Sequence, residues 1–509
     1  MRYSRRVVVG AGIVLAGAEL LRPLRARAAD IRFADNPFTL GISSGYPEPN
    51  AVVLWTRLAP TPLVPGGGMP AAPVEVAWEV ATDAALRNVV RNGTVYATPD
   101  WAHSVHVEVA GLDSARDYWY RFASGGQRSA IGRTRTAPRA DATPTRLTLA
   151  VASCQHYEQG HYAAYRSMAA DALDLIVHVG DYIYEGRGTT RVRAHDAPEC
   201  HTLEDYRQRY AIYQSDPQLQ AAHAAAPWML VSDDHEVAND YAGERSAQND
   251  PPELFLARRA AAYQAYYEHL PLPRRLVPFA GRQRSYTSRS FGDLVTLYML
   301  DGRQYRSPHA CAPGSLVEPC AELYSGQRTM LGDVQEQWLH GTLAASRARW
   351  NLIGQQTLVA HFDQSGDRPL AYWADGWNGY PAARARLVDA LVARQTANPV
   401  ILSGDIHAFL VNDINARPTD FDSSIVATEF VTSSISSQGA PQQTFDRWRA
   451  ENPNVHLARS DHRGYVRIAV SAELLHADLV AVDDVTRADS PTHVLAAFDV
   501  VAGTPGVAR

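Results

Sequence analysis

Between Phe38 and about Arg135 apolar and polar positions alternate with a period of two in short runs: Ala51 to Arg57, Val74 to Val80, His106 to Val109 and Tyr118 to Phe122. Alternation sends successive side chains to opposite faces, so these runs predict strands with one buried face. Gly111-Leu112 followed by Tyr118 has the spacing of a tyrosine corner, in which a phenol hydrogen-bonds to an upstream turn of an immunoglobulin-like sandwich. A small β-sandwich domain is expected over 29–136, followed by a polar, proline-bearing linker at 137–146. From Leu147 the pattern changes to continuous apolar runs too short for helices: Leu147 to Ala152, Leu175 to Val179, Trp228 to Val231, Leu294 to Leu300, Trp350 to Ile353 and Val400 to Leu402. These read as strands buried on both faces. Helical patterns at Leu203 to Ala226, Val334 to Ala348 and Pro381 to Gln395 lie between them, which predicts an α/β domain over 147–509. After about Phe430 the chain is β-rich again, with strands expected at Gly464 to Val470 and Ala477 to Val482.

Composition adds a class and a compartment. The 509 residues exceed what one core usually serves, which agrees with two domains. Hydrophobic content of 46% and charged content of 20% fit a globular enzyme, and a net charge of −6 provides no footprint for a dedicated nucleic-acid binder. Arg2, Arg5 and Arg6 precede the apolar run Val7 to Leu21, and Ala26-Arg27-Ala28 reads as a cleavage site. Residues 1–28 are therefore expected to be an export signal. The pair Arg5-Arg6 points to the twin-arginine route, with its translocase as a transient partner and a periplasmic, secreted or envelope-associated product. Of the four cysteines, Cys311 and Cys320 are close enough in a loop to bridge outside the cytoplasm.

Four separated apolar strands each end in residues that bind metals. Leu149 to Ser153 delivers Cys154, Leu175 to Gly180 delivers Asp181, Trp228 to Ser232 delivers Asp233, Asp234 and His235, and Pro399 to Gly404 delivers Asp405 and His407. Ligands of open α/β folds bind outside the carboxyl ends of strands, so one crevice would gather these groups. Carboxylates in such places need a partner or a metal to offset desolvation. Cys154, Tyr184 and His407 suit a polarising transition metal, Asp234 and Asp405 a hard cation such as calcium, magnesium or manganese, and Asp181 is placed to bridge the two. Spacing alone leaves zinc or manganese open at the first position. Asp405 and His407, two apart, would share a face if the strand continued through them. Cys154 as a packed thiol or paired with Cys200, and Tyr184 as a packed aromatic, are the bland alternatives. His156 and His161 flank the Cys154 loop without an assigned role.

Taken in order, the motifs resemble the PhoD-type alkaline phosphatase family, part of the metallophosphoesterase group that includes purple acid phosphatases. They are Gly41-Ile-Ser-Ser-Gly-Tyr-Pro47, Leu54-Trp-Thr-Arg57, Ala152-Ser-Cys-Gln155, Gly180-Asp-Tyr-Ile-Tyr-Glu185, Asp233-Asp-His-Glu-Val-Ala-Asn239, Asp301-Gly-Arg-Gln-Tyr-Arg306, Asp375-Gly-Trp-Asn-Gly-Tyr380, Ser403-Gly-Asp-Ile-His407 and Glu429-Phe-Val-Thr-Ser-Ser434. The resemblance implies a metallophosphoesterase-type β-sandwich flanked by helices (αββα), preceded by the immunoglobulin- or fibronectin-like sandwich. It implies Fe(III) on Cys154, Asp181, Tyr184 and His407, and calcium on Asp181, Asp234 and Asp405. Two ions clamping a phosphate and activating water would hydrolyse monoesters and diesters, with nucleic-acid-derived diesters and phospholipids among the possible substrates. His235 is the expected proton donor or phosphate contact. Arg303 and Asn239 are expected near substrate, with Arg306 as a further candidate and Glu429 behind the site. Tyr46 and Asn378 stand where the family more often has aspartate. A degenerate metal-binding or surface interaction protein is the reading from another class.

Overall fold

In the computed structural model, residues 31–188, 191–311, 316–366 and 370–508 are described; the expected signal at 1–28 lies outside them. Two large sheets form the catalytic body. One has nine strands, in the order Thr492–Val501, Leu474–Val482, Arg463–Val470, Leu147–Ala152, Leu175–His178, Trp228–Leu230, Ile42–Glu48, Ala51–Arg57 and Ser104–Ala110. The other has seven, in the order Thr287–Phe291, Val295–Met299, Trp350–Gly354, Pro399–Ser403, Ile425–Val431, Phe409–Asn415 and Val455–Arg459.

The sheets pack face to face, and alternation along their strands decides what each side chain meets. Leu297, Met299, Leu352, Val400 and Leu402 turn inward to one core with Leu149, Val151, Val177 and Met229. Their neighbours Tyr298, Leu300, Ile353 and Ile401 turn outward, against Leu339 and Leu343 of the helix Gly332–Ala345 and Leu387 and Leu391 of Pro381–Ala393. On the far side, Tyr165 and Met168 of Ala163–Ala170 and Leu219 and Ala222 of Pro217–Ala225 cover the nine-stranded sheet. The result is the αββα arrangement with an N-terminal β module. Burial of each such aliphatic side chain contributes about 1.5–3 kcal/mol, so slippage of a strand by one residue would exchange its core and helix faces at large cost.

The N-terminal module shares a sheet with the catalytic body. Ile42–Glu48 pairs in parallel with Trp228–Leu230, so three strands of the sandwich continue the catalytic sheet. Their other face packs, through Val52, Leu54, Val105 and Val107, on Val76, Val80, Tyr120 and Phe122 of the second sandwich sheet. The Tyr118 phenol accepts a hydrogen bond from the Asp113 N–H at 2.8 Å, the contact expected of a tyrosine corner. Between the two units, Ala137 N–H bonds Glu48 and Asp293 N–H bonds Ala142, so the connecting segment is tied at both ends.

One expected helix is two. Leu203–Gln214 stops where Asp216 caps a new helix, accepting from the N–H groups of Gln218 and Leu219, with Pro217 at its first position. Proline removes the N–H that a continuing helix would need. Cys311 and Cys320 form a disulfide, whereas Cys154 and Cys200 are both buried and free.

Candidate metal centre and active site

The strand ends converge. Cys154 Sγ and atoms of Asp181 and His407 lie within 4.8 Å of one another, as do atoms of Asp181, Asp234 and His235, and of Asp233, Asp234 and Asp405. Asp181 belongs to two of the groups, which is the position a bridging ligand requires. The Tyr184 hydroxyl donates to Asp181 Oδ2 at 2.8 Å, lies 3.0 Å from His407 Nε2 and accepts from Ser437 Oγ at 2.7 Å. His407 Nδ1 donates to the Gln438 carbonyl at 2.8 Å, which leaves Nε2 free to bind a cation.

The backbone is bent to make this possible. Cys154, Asp181, Asp405 and His407 have φ of 58°, 56°, 67° and 57°, a left-handed conformation uncommon for residues with a Cβ and often found at functional sites. Asp405 and His407 are therefore not an extended pair: the strand ends at Ser403 and the chain turns left-handed at both residues. Gly180, with φ of 124°, is needed because a Cβ there would lie 2.3 Å from Asp233 Cβ. Carboxylates hold the turns from behind. Glu236 accepts from the N–H groups of Asp181 and Asp233 at 3.2 and 2.6 Å and from that of Tyr182, while Glu429 accepts from Val359 and Ala360 N–H and from Ser403 Oγ.

The electrostatics call for a cation. Burial, with the Asp181 charge beside it, pushes the Cys154 thiol well above its ordinary range, and burial with neighbouring carboxylates does the same to Asp181 and Asp405. Asp181 Oδ1 and Asp234 Oδ1 are buried with no hydrogen-bond partner. A bound metal would reverse these penalties and use these oxygens, so the residues fit metal ligation. Burial opposes a charge on His235, but Glu185, whose Oε2 lies 2.7 Å from Nδ1, together with Asp234 and Asp181, holds its pKa well above the usual value.

Asp181, Asp234, His235, Asp405 and His407 line a cavity of about 320 Å³, with Asn239, Asp240 and Gln438, while Cys154 and Tyr184 lie behind its wall. Apolar residues supply much of the remaining wall: Leu358, Trp373, Ile406, Ala440, Phe445 and Trp448. Asn239 is on the wall, and Asn378 also reaches it.

Arg303 is a correction. Its guanidinium is fully buried and surrounded by carboxylates, with Nε on Asp233, Nη1 2.8 Å from Asp375 and Nη2 3.3 Å from Asp405. It neutralises the acidic cluster from beneath instead of reaching substrate. Arg306 is likewise committed to Asp375 and the Tyr241 carbonyl. His156 stacks on Tyr184 with centroids 4.4 Å apart, and His161 is not on the cavity wall. Tyr46 is buried with its hydroxyl on the Leu230 carbonyl at 2.8 Å, on the strand that delivers Asp234. Sequence reasoning missed Glu185, Glu236, Asp375 and Ser437. Glu185, Glu236 and Asp375 sat inside motifs already singled out, Glu185 directly after Tyr184 and Glu236 directly after His235.

Comparison with known proteins gives the same result along the chain. A family model described as PhoD-like phosphatase matches residues 149–479, and one described as the PhoD-like phosphatase N-terminal domain matches residues 25–138. Alkaline phosphatase D of Bacillus subtilis (strain 168) is 42% identical over 500 residues, covering 96% of this chain and 85% of that protein. A solved structure described as the structure of PhoD superposes with a TM-score of 0.90 at 42% identity, over 94% of this chain and 92% of the other.

Proposed function

The chain belongs to the PhoD-like phosphatase family and is a metal-dependent phosphoric ester hydrolase, and from that premise we propose that it cleaves monoesters and diesters outside the cytoplasm at a site for two different ions. The observation that carries this reading is the shared position of Asp181, within reach both of Cys154 and His407 and of Asp234 and His235. Cys154, Asp181, Tyr184 and His407 would hold Fe(III), and Asp181, Asp234 and Asp405 would hold calcium. When bound, the two ions supply Lewis-acid stabilisation of the phosphate charge and lower the pKa of a water.

The chain's own residues do the rest. Ser437 donates to the Tyr184 oxygen and the Gln438 carbonyl holds the His407 ring, so both side chains are oriented before a cation arrives, and Tyr184 would give up the proton it shares with Asp181 on binding. Glu185 holds His235 by Nδ1 at 2.7 Å, leaving Nε2 to pass a proton to the departing ester oxygen. Arg303 offsets the mutual repulsion of Asp233, Asp234, Asp375 and Asp405. The Cys311–Cys320 disulfide suits an oxidising compartment and supports export by the twin-arginine translocase, as the Arg5-Arg6 pair suggests. A phospholipid-directed phosphodiesterase is the second reading, favoured by the apolar part of the cavity wall. A catalytically degenerate binding protein fits poorly, because the complete set of donors is present.

Hydrolysis of 4-nitrophenyl phosphate and bis(4-nitrophenyl) phosphate, before and after dialysis against a chelator, tests the reading. Activity should fall roughly a hundredfold or more and return with iron and calcium. Full activity in protein shown to be free of metal would overturn the two-ion site. For the export reading, replacing Arg5 and Arg6 by Lys should leave the precursor in the cytoplasm, and unchanged export would contradict the twin-arginine route.

A further inference from the structure

A short ribbon at the cavity rim is built differently from the rest of the site. Leu316–Val317 pairs antiparallel with Tyr372–Trp373, in the register Leu316 with Trp373 and Val317 with Tyr372. The Cys311–Cys320 disulfide closes a nine-residue separation that contains the first of these strands. Successive side chains on a strand face opposite ways. Tyr372 is buried with Ala310 and Leu323, with Cys320 packed beside them, and its ring meets His361 edge-on at 5.6 Å. Trp373 thus lies on the other face of the ribbon, where it lines the cavity and remains 37% exposed. Its backbone N–H is fixed by the side-chain oxygen of Gln364 at 3.1 Å, and Gln364 lines the same cavity.

Trp373 has apolar company on that wall. Phe445 and Trp448, from the helix Gln442–Glu451, meet edge to face at 5.1 Å, and Leu358 joins them. This surface adjoins Asp405 and His407 through Ile406. Phe445 and Leu358 have no polar atom in their side chains, and the two tryptophans offer only indole N–H donors. A polyhydroxyl group laid here would lose water without replacement, whereas an aromatic or alkyl group would gain buried area and stacking.

Resting on the phosphoesterase reading above, we propose that Trp373, Phe445, Trp448 and Leu358 form the subsite for the organic group of the substrate and select phosphoesters whose ester group is aromatic or alkyl, with the Cys311–Cys320 staple positioning Trp373 in that subsite. Specificity then comes from a wall that takes no part in metal ligation.

Calorimetric titration of the metal-loaded full chain with phenylphosphonate and methylphosphonate tests this without turnover. The wild type should bind the phenyl compound roughly tenfold more tightly. That ratio should fall to within about twofold in Trp373→Ala, persist in Trp373→Phe and decline in the Cys311→Ser/Cys320→Ser double variant. Equal or absent binding of both compounds by the wild type overturns the subsite, as does an unchanged ratio in Trp373→Ala. An unchanged ratio in the double cysteine variant overturns the positioning role of the staple. Hydrolysis of phenyl phosphate and methyl phosphate, measured alongside, separates the two readings. A protein with the binding preference but no hydrolysis refutes the phosphoesterase, and one with hydrolysis but no preference refutes only the subsite.

Discussion

The two parts of the cavity wall are built by opposite means. The polar part stands on strand ends sunk in the main core, with donor residues forced into left-handed turns and carboxylates satisfied from behind. The apolar part stands on a two-residue ribbon stapled by a disulfide and on the helix Gln442–Glu451. Chemistry needs donors held to a fraction of an ångström, and the core supplies that rigidity. Recognition of the ester group tolerates variation, and peripheral segments can change without disturbing the ligands.

The largest expected effect lies in the polar wall. Asp181→Asn removes the shared donor and should lower kcat/KM roughly a thousandfold for any phosphoester, with the circular dichroism of the fold retained. A loss confined to aromatic esters would erase the distinction between the walls. Next comes the foundation of that wall: Arg303→Met strands Asp233 without its cation, while Asp375 keeps Arg306, and urea unfolding should show a loss of about 3–5 kcal/mol. An unchanged midpoint would mean that the acidic cluster does not depend on Arg303.

That foundation was hidden in the sequence for a physical reason. Arg303 looks like a substrate contact because nothing local says that it will be buried; its four carboxylate neighbours come from residues 233, 234, 375 and 405. The convergence of the candidate donors was legible, because strands buried on both faces read as unbroken apolar runs and the donors follow directly. The split of Leu203–Gln214 from Pro217–Ala225 was also written in Asp216-Pro217, a cap followed by a first-turn proline. The helix Pro252–His269 went unread because Arg258, Arg259, Glu268 and His269 are among its buried residues, which blurs its apolar period. Pairing of Ile42–Glu48 with Trp228–Leu230 spans far too much chain for any local pattern to signal.

A smaller effect sharpens the account of the polar wall. Tyr184→Phe keeps the ring stacked between His156 and His235 but removes the hydroxyl that links Asp181, His407 and Ser437. Activity should fall roughly tenfold to a hundredfold with little change in stability, and unchanged kinetics would return Tyr184 to the role of packed aromatic.

The smallest concerns the sandwich that supports the polar wall's sheet. His106 donates from Nε2 to the carbonyls of Tyr267 and Leu270, and burial pushes its pKa down to about 4. Its contribution is therefore complete above the ordinary histidine pKa, near 6.5, and is lost as pH falls from there through about 4, because the unfolded chain takes up the proton first. His106→Gln should flatten part of the decline in melting temperature across that window. An identical acid limb in the variant would show that His106 stays neutral for no energetic benefit.

The central claim is that two chemically different ions share Asp181. Mass-spectrometric metal analysis of the protein and of its Cys154→Ala and Asp234→Ala variants addresses it directly. The account predicts iron and calcium together in the native protein, iron selectively depleted by Cys154→Ala and calcium selectively depleted by Asp234→Ala. A single metal species lost equally in both variants, or a native protein carrying neither ion, would contradict it.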